Sequence, residues 1–116
     1  MVNELYIMIA AITHLRLKNV SKIPLFFKLA NASGASASIA TGNVHSSVRN
    51  KGMLIFRTLT VWKDMEALLN YVHSSPHLEA MKATKNLSND AYTTHWETSN
   101  IPSWEEALIK LEQASN

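Results

Sequence analysis

Hydrophobic and polar positions divide the chain into a series of predicted strands and helices. Residues 5–18 begin with eight consecutive apolar residues and then alternate, which predicts a strand buried on both faces at its start. A helix should follow, because a serine can cap it, Pro24 suits its first turn and an apolar stripe comes next. Residues 31–42, rich in Ala, Ser and Gly, suit either a linker or a tightly packed helix. We expect the helix to continue to about Ile39, with a weakness at Gly34.

The middle of the chain carries the clearest hairpin signal. Residues 43–50 and 53–62 read as two strands joined by a turn at Asn-Lys-Gly. The second strand has period two, so its residues face alternate sides of a sheet. One side carries Phe56, Thr58, Thr60 and Trp62, and the other carries Ile55, Arg57, Leu59 and Val61.

The second half predicts two helical segments, a strand and a terminal helix. Asp64 caps a helix whose apolar residues recur at helical spacing. The Ser-Pro step at 75–76 ends that segment and begins another, which runs to about Asn86. Residues 90–99 alternate as a strand, and a capping box at 103–106 opens a short amphipathic helix.

The order β-α-β-β-α-β plus a terminal helix predicts a fold class and an assembly. It is the order of the ferredoxin-like α+β fold, with an antiparallel sheet, in a single domain spanning 1–116. Two helices cover one sheet face, yet the first and third strands carry apolar residues on both. A bare second face would exceed the apolar patches that monomers usually expose. We therefore expect a two-fold homodimer that stacks sheet on sheet.

Composition narrows the classes of partner. A hydrophobic content of 47% with 17% charged residues describes a compact globular protein. The net charge is +2 and the basic residues are scattered, so we expect no nucleic-acid partner. The chain has no cysteine, which excludes disulfides, thiol nucleophiles and cysteine-based zinc sites. The apolar run 5–12 is too short to span a bilayer and lacks the flanks of a signal peptide, so we expect a cytoplasmic protein without membrane association.

Several short motifs occur together in one known superfamily. They are Thr58-Leu59-Thr60-Val61-Trp62, Tyr71 before a histidine, His77-Leu78-Glu79-Ala80-Met81 and Thr94-His95-Trp96, with a looser likeness at 13–18. In these the chain resembles the dimeric α+β barrel superfamily. The closest likeness is to the antibiotic-biosynthesis-monooxygenase-like and spheroidene-monooxygenase-like (DUF3291-type) small proteins. The resemblance implies a homodimer with a ligand cavity between the sheet and its own helices.

The activities in that superfamily differ, so the resemblance leaves the cofactor open. They include cofactor-free quinone-forming monooxygenases, haem-degrading enzymes, haem-dependent dehydratases and dismutases. Haem and no cofactor are therefore equal expectations, and fold alone does not choose between them.

Three histidines, His77, His73 and His14, are candidates for catalysis. His77 matches the recurrent histidine of the resembling group and could transfer protons or ligate haem iron. The alternative is that His77 has a structural role, as a residue at the start of a helix that is hydrogen-bonded to the backbone. In the haem-degrading relatives the ligand stands about one turn later, where this chain has Met81, a candidate cofactor contact. His73 lies before the Ser-Pro break, so the two histidines need not share a helix face and metal chelation has no geometric basis.

Other candidates lie on the strands and the preceding helix. Trp62 and Tyr71 could stack on a flat ligand, or could simply be core residues. Arg57 stands among apolar strand residues, so it should pair with a carboxylate such as Glu97 or anchor an acidic group of a ligand. His14 could contribute similarly or lie at a solvated rim.

Two functions follow as hypotheses. The first is a small monooxygenase that acts on a planar aromatic or polyene substrate. Its cofactor-free form would use His77, His73 or His14 as base, with Arg57 or Trp62 holding the anion. Its haem form would use His77 as axial ligand. The alternative is a non-catalytic dimeric module that binds haem or a small hydrophobic ligand.

Overall fold

The computed structural model describes residues 7–115, which contain four strands and four helices. The strands are β1 (Met8–Leu17), β2 (Asn43–Lys51), β3 (Ile55–Trp62) and β4 (Ser88–Thr98). The helices are α1 (Ile23–Ile39), α2 (Met65–Val72), α3 (Ser75–Leu87) and α4 (Trp104–Ser115). All strand pairs are antiparallel, in the order β2-β3-β1-β4, so the ferredoxin-like prediction is confirmed. The start of the predicted strand 5–18 lies outside the described residues.

Helix α1 is continuous across the segment that the sequence left open between helix and linker. A short 3-10 turn precedes it, in which Asn19 Oδ1 accepts a hydrogen bond from the Ser21 amide at 3.0 Å. The helix then passes Gly34 without interruption, although a helical glycine costs about 1 kcal/mol relative to alanine. Neither α1 nor any other helix within 7–115 is long and apolar enough to cross a membrane.

The break between α2 and α3 is built from local capping interactions. Asp64 Oδ1 accepts from the Ala67 amide at 2.8 Å, which satisfies a free donor at the start of α2. Ser74 is extended at the N-cap of α3, and its hydroxyl donates to the Tyr71 carbonyl at 2.6 Å. With Pro76 in the first turn of α3, these contacts confirm the predicted break. The N-cap residue is Ser74, one residue earlier than expected.

One face of the sheet, here called the helix side, packs against α1, α2 and α3. Cross-strand pairs such as Ile9 with Trp62 and Leu15 with Phe56 place residues of adjacent strands on this same side. Two buried clusters form there. One contains Ile9, Ala37, Trp62, Ala67 and Leu68, and the other contains Leu17, Phe56 and Leu87.

The opposite face, here called the α4 side, is covered in its middle by the terminal helix. Ala107 and Leu111 pack on Ile12 and Leu59 in a third buried cluster. The expectation of a bare second face is therefore wrong. The apolar residues of α4, the helix opened by the capping box, pack across this face and bury the apolar strand residues that were expected to need a partner subunit.

The turn between α1 and β2 generates a stability prediction. Gly42 has φ +87°, and a Cβ there would lie 2.5 Å from Ala67 Cβ. Gly42→Ala should lower the free energy of unfolding by about 2–4 kcal/mol, because backbone strain adds to a clash with α2. Gly52→Ala is the matched control, since its φ is +66° but nothing lies within 4 Å. Urea denaturation should give a loss of about 1–2 kcal/mol for the control, and equal losses would contradict the close packing of Gly42 on α2.

Candidate functional site

Three aromatic rings stack between the sheet and the α2–α3 break. Trp62 ends β3 and is fully buried, at 0% exposure. The Tyr71 ring stacks on it with centroids 5.0 Å apart and an interplanar angle of 25°. His77 meets Tyr71 edge-on at 4.9 Å and 64°. We call these three residues the aromatic stack. It brings together three of the residues that the sequence singled out.

The Tyr71 hydroxyl is fixed to α1 through one residue. It donates to the Ser33 carbonyl at 3.1 Å and lies 2.6 Å from Ser33 Oγ. Burial raises the pKa of Tyr71, and the hydrogen bond with the Ser33 side chain opposes that shift. At neutral pH the phenol is therefore protonated and serves as a fixed hydrogen-bonded wall rather than as a base.

His77 has one ring nitrogen engaged, and its other ring nitrogen makes no hydrogen bond to any residue in 7–115. Its Nδ1 lies 3.2 Å from the Val72 carbonyl, which can only accept, so Nδ1 carries the hydrogen. Burial lowers the pKa of His77, with the Val72 hydrogen bond acting in the opposite direction. The neutral ring is thus favoured, and Nε2 keeps a lone pair that can accept a proton.

His73 and Met81 are not part of the aromatic stack. His73 is exposed at the C-terminal end of α2, where its backbone amide donates to the Leu69 carbonyl at 3.0 Å. Met81 is half-exposed on α3. Within 7–115, no three side chains of the His, Cys, Asp or Glu type come close enough to hold a metal ion.

His14 and Arg57 lie on the α4 side, so the sheet separates them from the aromatic stack. Arg57 Nε donates to His14 Nδ1 at 3.3 Å, and His14 Nε2 donates to Asp90 Oδ2 at 3.1 Å. The expected pair between Arg57 and Glu97 is wrong, because Glu97 stands opposite Ile9 on the helix side. His14 is not a rim residue either, since it is only 6% exposed.

The helix side also has an opening that sequence reasoning missed. Thr13 is exposed although β1 is an interior strand and the helices pack on this face. Its cross-strand neighbours are Thr58 and Thr93, and the Thr13 hydroxyl donates to the Thr93 hydroxyl at 3.0 Å. Short hydroxyl side chains thus occupy the sheet between the two helix-side clusters. The sequence feature that could have indicated this opening is a threonine at the matching position of each of three strands, namely Thr13, Thr58 and Thr93.

A separate groove of about 300 Å³ runs between the C-terminal part of α1 and α2. Tyr71 lines it together with polar residues that include Ser36, Asp64, Glu66 and Asn70. His77 and Trp62 are not among its lining residues. The groove therefore reaches the edge of the aromatic stack but not its titratable imidazole.

Comparison with known proteins assigns the family. A family model described as a domain of unknown function, DUF3291, matches residues 19–116. The chain belongs to the DUF3291 family. A search of curated proteins gives no match.

Solved structures resemble this DUF3291 chain in fold. A cofactor-independent oxygenase, SnoaB from Streptomyces nogalater, has a TM-score of 0.61 at 14% identity, covering 83% of this chain and 95% of its own. A putative antibiotic biosynthesis monooxygenase from Nitrosomonas europaea has 0.69 at 10%, covering 81% and 90%. A possible oxidoreductase of unknown function from Bacteroides thetaiotaomicron has 0.70 at 14%, covering 80% and 99%. At these identities the likeness establishes the fold alone. The expected DUF3291-type family is confirmed by the family model.

The groove beside Tyr71 does not bring a haem within reach of His77. The His77 Nδ1 hydrogen bond to a carbonyl is the kind of outer contact that ligating histidines make. However, the described groove beside Tyr71 is only about 300 Å³ and excludes His77. That volume is at the lower end for small-molecule sites. We therefore assign no step to haem.

The pKa of His77 predicts how stability changes with acid. The folded state has a lowered pKa, while the unfolded chain keeps the ordinary value of 6.5, so the unfolded state binds the proton more readily. The stability that neutral His77 contributes is complete above pH 6.5 and is lost as the pH falls through the folded pKa. In urea denaturation from about pH 7.5 to pH 5, His77→Gln should lose less stability than the unmodified chain.

The neighbouring histidine provides the control for that measurement. His73→Gln should keep the acid dependence of the unmodified chain, because His73 is exposed. The lowered pKa of His77 would be refuted if His77→Gln and His73→Gln gave the same pH dependence.

Proposed function

We propose that this DUF3291 protein is a cofactor-independent monooxygenase whose substrate is a planar, electron-rich hydroxy-aromatic compound. The observation that carries the proposal is His77, a half-buried imidazole with a free Nε2 and a lowered pKa beside the aromatic stack. The antibiotic-biosynthesis-monooxygenase-like fold supports the same class of reaction. A polyene is less suitable, because it offers no acidic proton to a base of this strength.

The chemistry requires a base and a position for oxygen. His77 Nε2 removes a proton from an activated CH₂ group of the substrate, and the carbanion is stabilised by the substrate's own aromatic carbonyl system. O₂ accepts electrons from that carbanion, a C–O bond forms, and the protonated His77 returns its proton to the resulting peroxide anion. The hydroperoxide then eliminates water, so that CH₂ and O₂ become C=O and H₂O. One oxygen atom enters the product and the other leaves as water, so no external reductant is needed.

The helix side supplies groups suited to orient such a substrate. The exposed Thr13, with Thr58 and Thr93 beside it, offers hydroxyl groups to the oxygens of a hydroxy-aromatic ring. Tyr71 gives a flat, protonated surface next to His77. Arg57 takes no part in this site, because it lies on the other face of the sheet and bonds to His14.

A second candidate, a non-catalytic binding module, is favoured by one observation. The groove of about 300 Å³ reaches Tyr71 but not His77, so a small ligand can lie there without meeting a base. Most of the residues that line it carry polar groups, which can hydrogen-bond a small ligand.

Oxygen consumption with anthrone-type substrates tests the oxygenase proposal. We expect turnover without added metal, haem or flavin, and a loss of about 100-fold or more in kcat for His77→Ala, the range of a removed general base. His73→Ala is the matched control and should keep full activity, since His73 is exposed at the end of α2. Circular dichroism checks that both variants fold.

The results distinguish the two candidates. No oxygen uptake across a panel of hydroxy-aromatic substrates, combined with ligand binding that Asn70→Ala weakens, would favour the module, because Asn70 lines the groove. Equal activity in His77→Ala and the unmodified chain would eliminate His77 as the base.

We also propose that the protein is a homodimer, with contacts through the outer surface of α4 rather than a bare sheet. Two exposed apolar residues in or just before α4 support this: Ile101 is 48% exposed and Ile109 is 51% exposed. Light scattering at micromolar concentration should give about twice the chain mass of 13.0 kDa. Ile109→Glu should shift the mass towards the monomer, whereas Ile39→Glu, at a residue 85% exposed on α1, should not. A monomeric unmodified chain would refute the dimer.

A further inference from the structure

A row of polar residues crosses all four strands on the α4 side, and the proposed reaction does not use it. Arg49 on β2 pairs with Arg57 on β3, Arg57 pairs with His14 on β1, and His14 pairs with Tyr92 on β4. The next row towards the end of the sheet adds two more basic residues, Lys51 and Arg16, together with Ile55 and Asp90. Cationic side chains therefore outnumber carboxylates in these two rows.

Each arginine is positioned by a neutral group. Arg57 Nε donates to His14 Nδ1 at 3.3 Å, which leaves its terminal nitrogens without a partner in that contact. The guanidinium carbon of Arg49 lies 5.1 Å from the centroid of the Trp104 ring on α4. Such a cation–π contact fixes the plane of the guanidinium without neutralising it.

The nearest carboxylate is already engaged. Asp90 Oδ2 accepts from His14 Nε2 at 3.1 Å, and this is the only pair within ion-pair distance among residues 7–115. Like charges directly opposite each other on adjacent strands destabilise a sheet. Arg49 and Arg57 lie directly opposite each other, with Cβ atoms about 5 Å apart, and no carboxylate among residues 7–115 lies within ion-pair distance of either.

We propose that Arg49 and Arg57 form a binding site for an oxyanion, the phosphate or carboxylate group of a small ligand. A planar guanidinium donates two parallel hydrogen bonds to such a group, and an anion between two arginines removes their repulsion. Arg49 is exposed and Arg57 half-buried, so the site is open to solvent. It lies on the opposite face from His77 and does not depend on the proposed oxygenase activity.

Titration with inorganic phosphate and with acetate tests the site directly. Binding is followed by backbone amide NMR shifts at constant ionic strength, with sodium chloride replaced by the probe. We expect saturable shifts of the β2 and β3 amides near Arg49 and Arg57 with one of the two probes, and the stronger probe identifies the oxyanion. Arg57→Gln and Arg49→Gln should each weaken binding about tenfold or more, since each removes charge-assisted hydrogen bonds.

Two further variants separate a shaped site from general attraction. Lys82→Gln makes the same change of charge at an exposed residue on α3 and should leave binding unchanged. Arg57→Lys keeps the charge but loses the planar fork and the Nε donor, so it should also weaken binding.

Three outcomes would overturn the site. The first is no saturable shift with either probe, and the second is equal weakening by Lys82→Gln and Arg57→Gln. The third is dissociation of a dimer in the arginine variants without anion binding by the unmodified chain, which would assign the arginines to an interface.

Discussion

The stacking of Tyr71 on Trp62 connects the sheet of this protein to the helices that cover it. Trp62 is part of the sheet, and Tyr71 lies 5.0 Å above it at the end of α2. The hydroxyl of Tyr71 bonds to Ser33 on α1, while its backbone carbonyl accepts from Ser74 at the break before α3. Its ring also contacts His77. One side chain thus sets the relative position of β3 and three helices, and the position of His77 depends on it.

The two-residue period of a strand explains why the candidate residues separate into two groups. Adjacent strand residues point to opposite faces, so a sheet can carry unrelated chemistry on its two sides. Trp62 faces the helices, whereas Arg57, five residues earlier, faces α4. The sequence predicted this alternation correctly. The hypothesis that Arg57 and His77 belong to one site nevertheless disregarded this alternation.

Interactions between residues close in the sequence were predictable, whereas interactions between residues far apart in the sequence were not. The Asp64 cap, the Ser-Pro break and the strand faces each depend on a few neighbouring residues, and their physics is contained in the sequence. The position of α4 on the sheet and the His14 partner of Arg57 depend on residues 43 or more positions apart. The amino-acid composition could not predict the position of α4 or the partner of Arg57. The threonine opening was missed because no single strand shows it, and it exists only when β1, β3 and β4 lie side by side.

His14 and His77 show that burial alone does not identify a base. His14 is the more buried, yet Arg57 donates to one of its nitrogens and Asp90 accepts from the other. Both ring nitrogens of His14 are therefore engaged by other side chains. His77 is less buried, its Nε2 has no hydrogen-bond partner among residues 7–115, and a backbone carbonyl fixes its tautomer. Availability of a lone pair, rather than depth, makes His77 the residue suited to take a proton and leaves His14 suited to position Arg57.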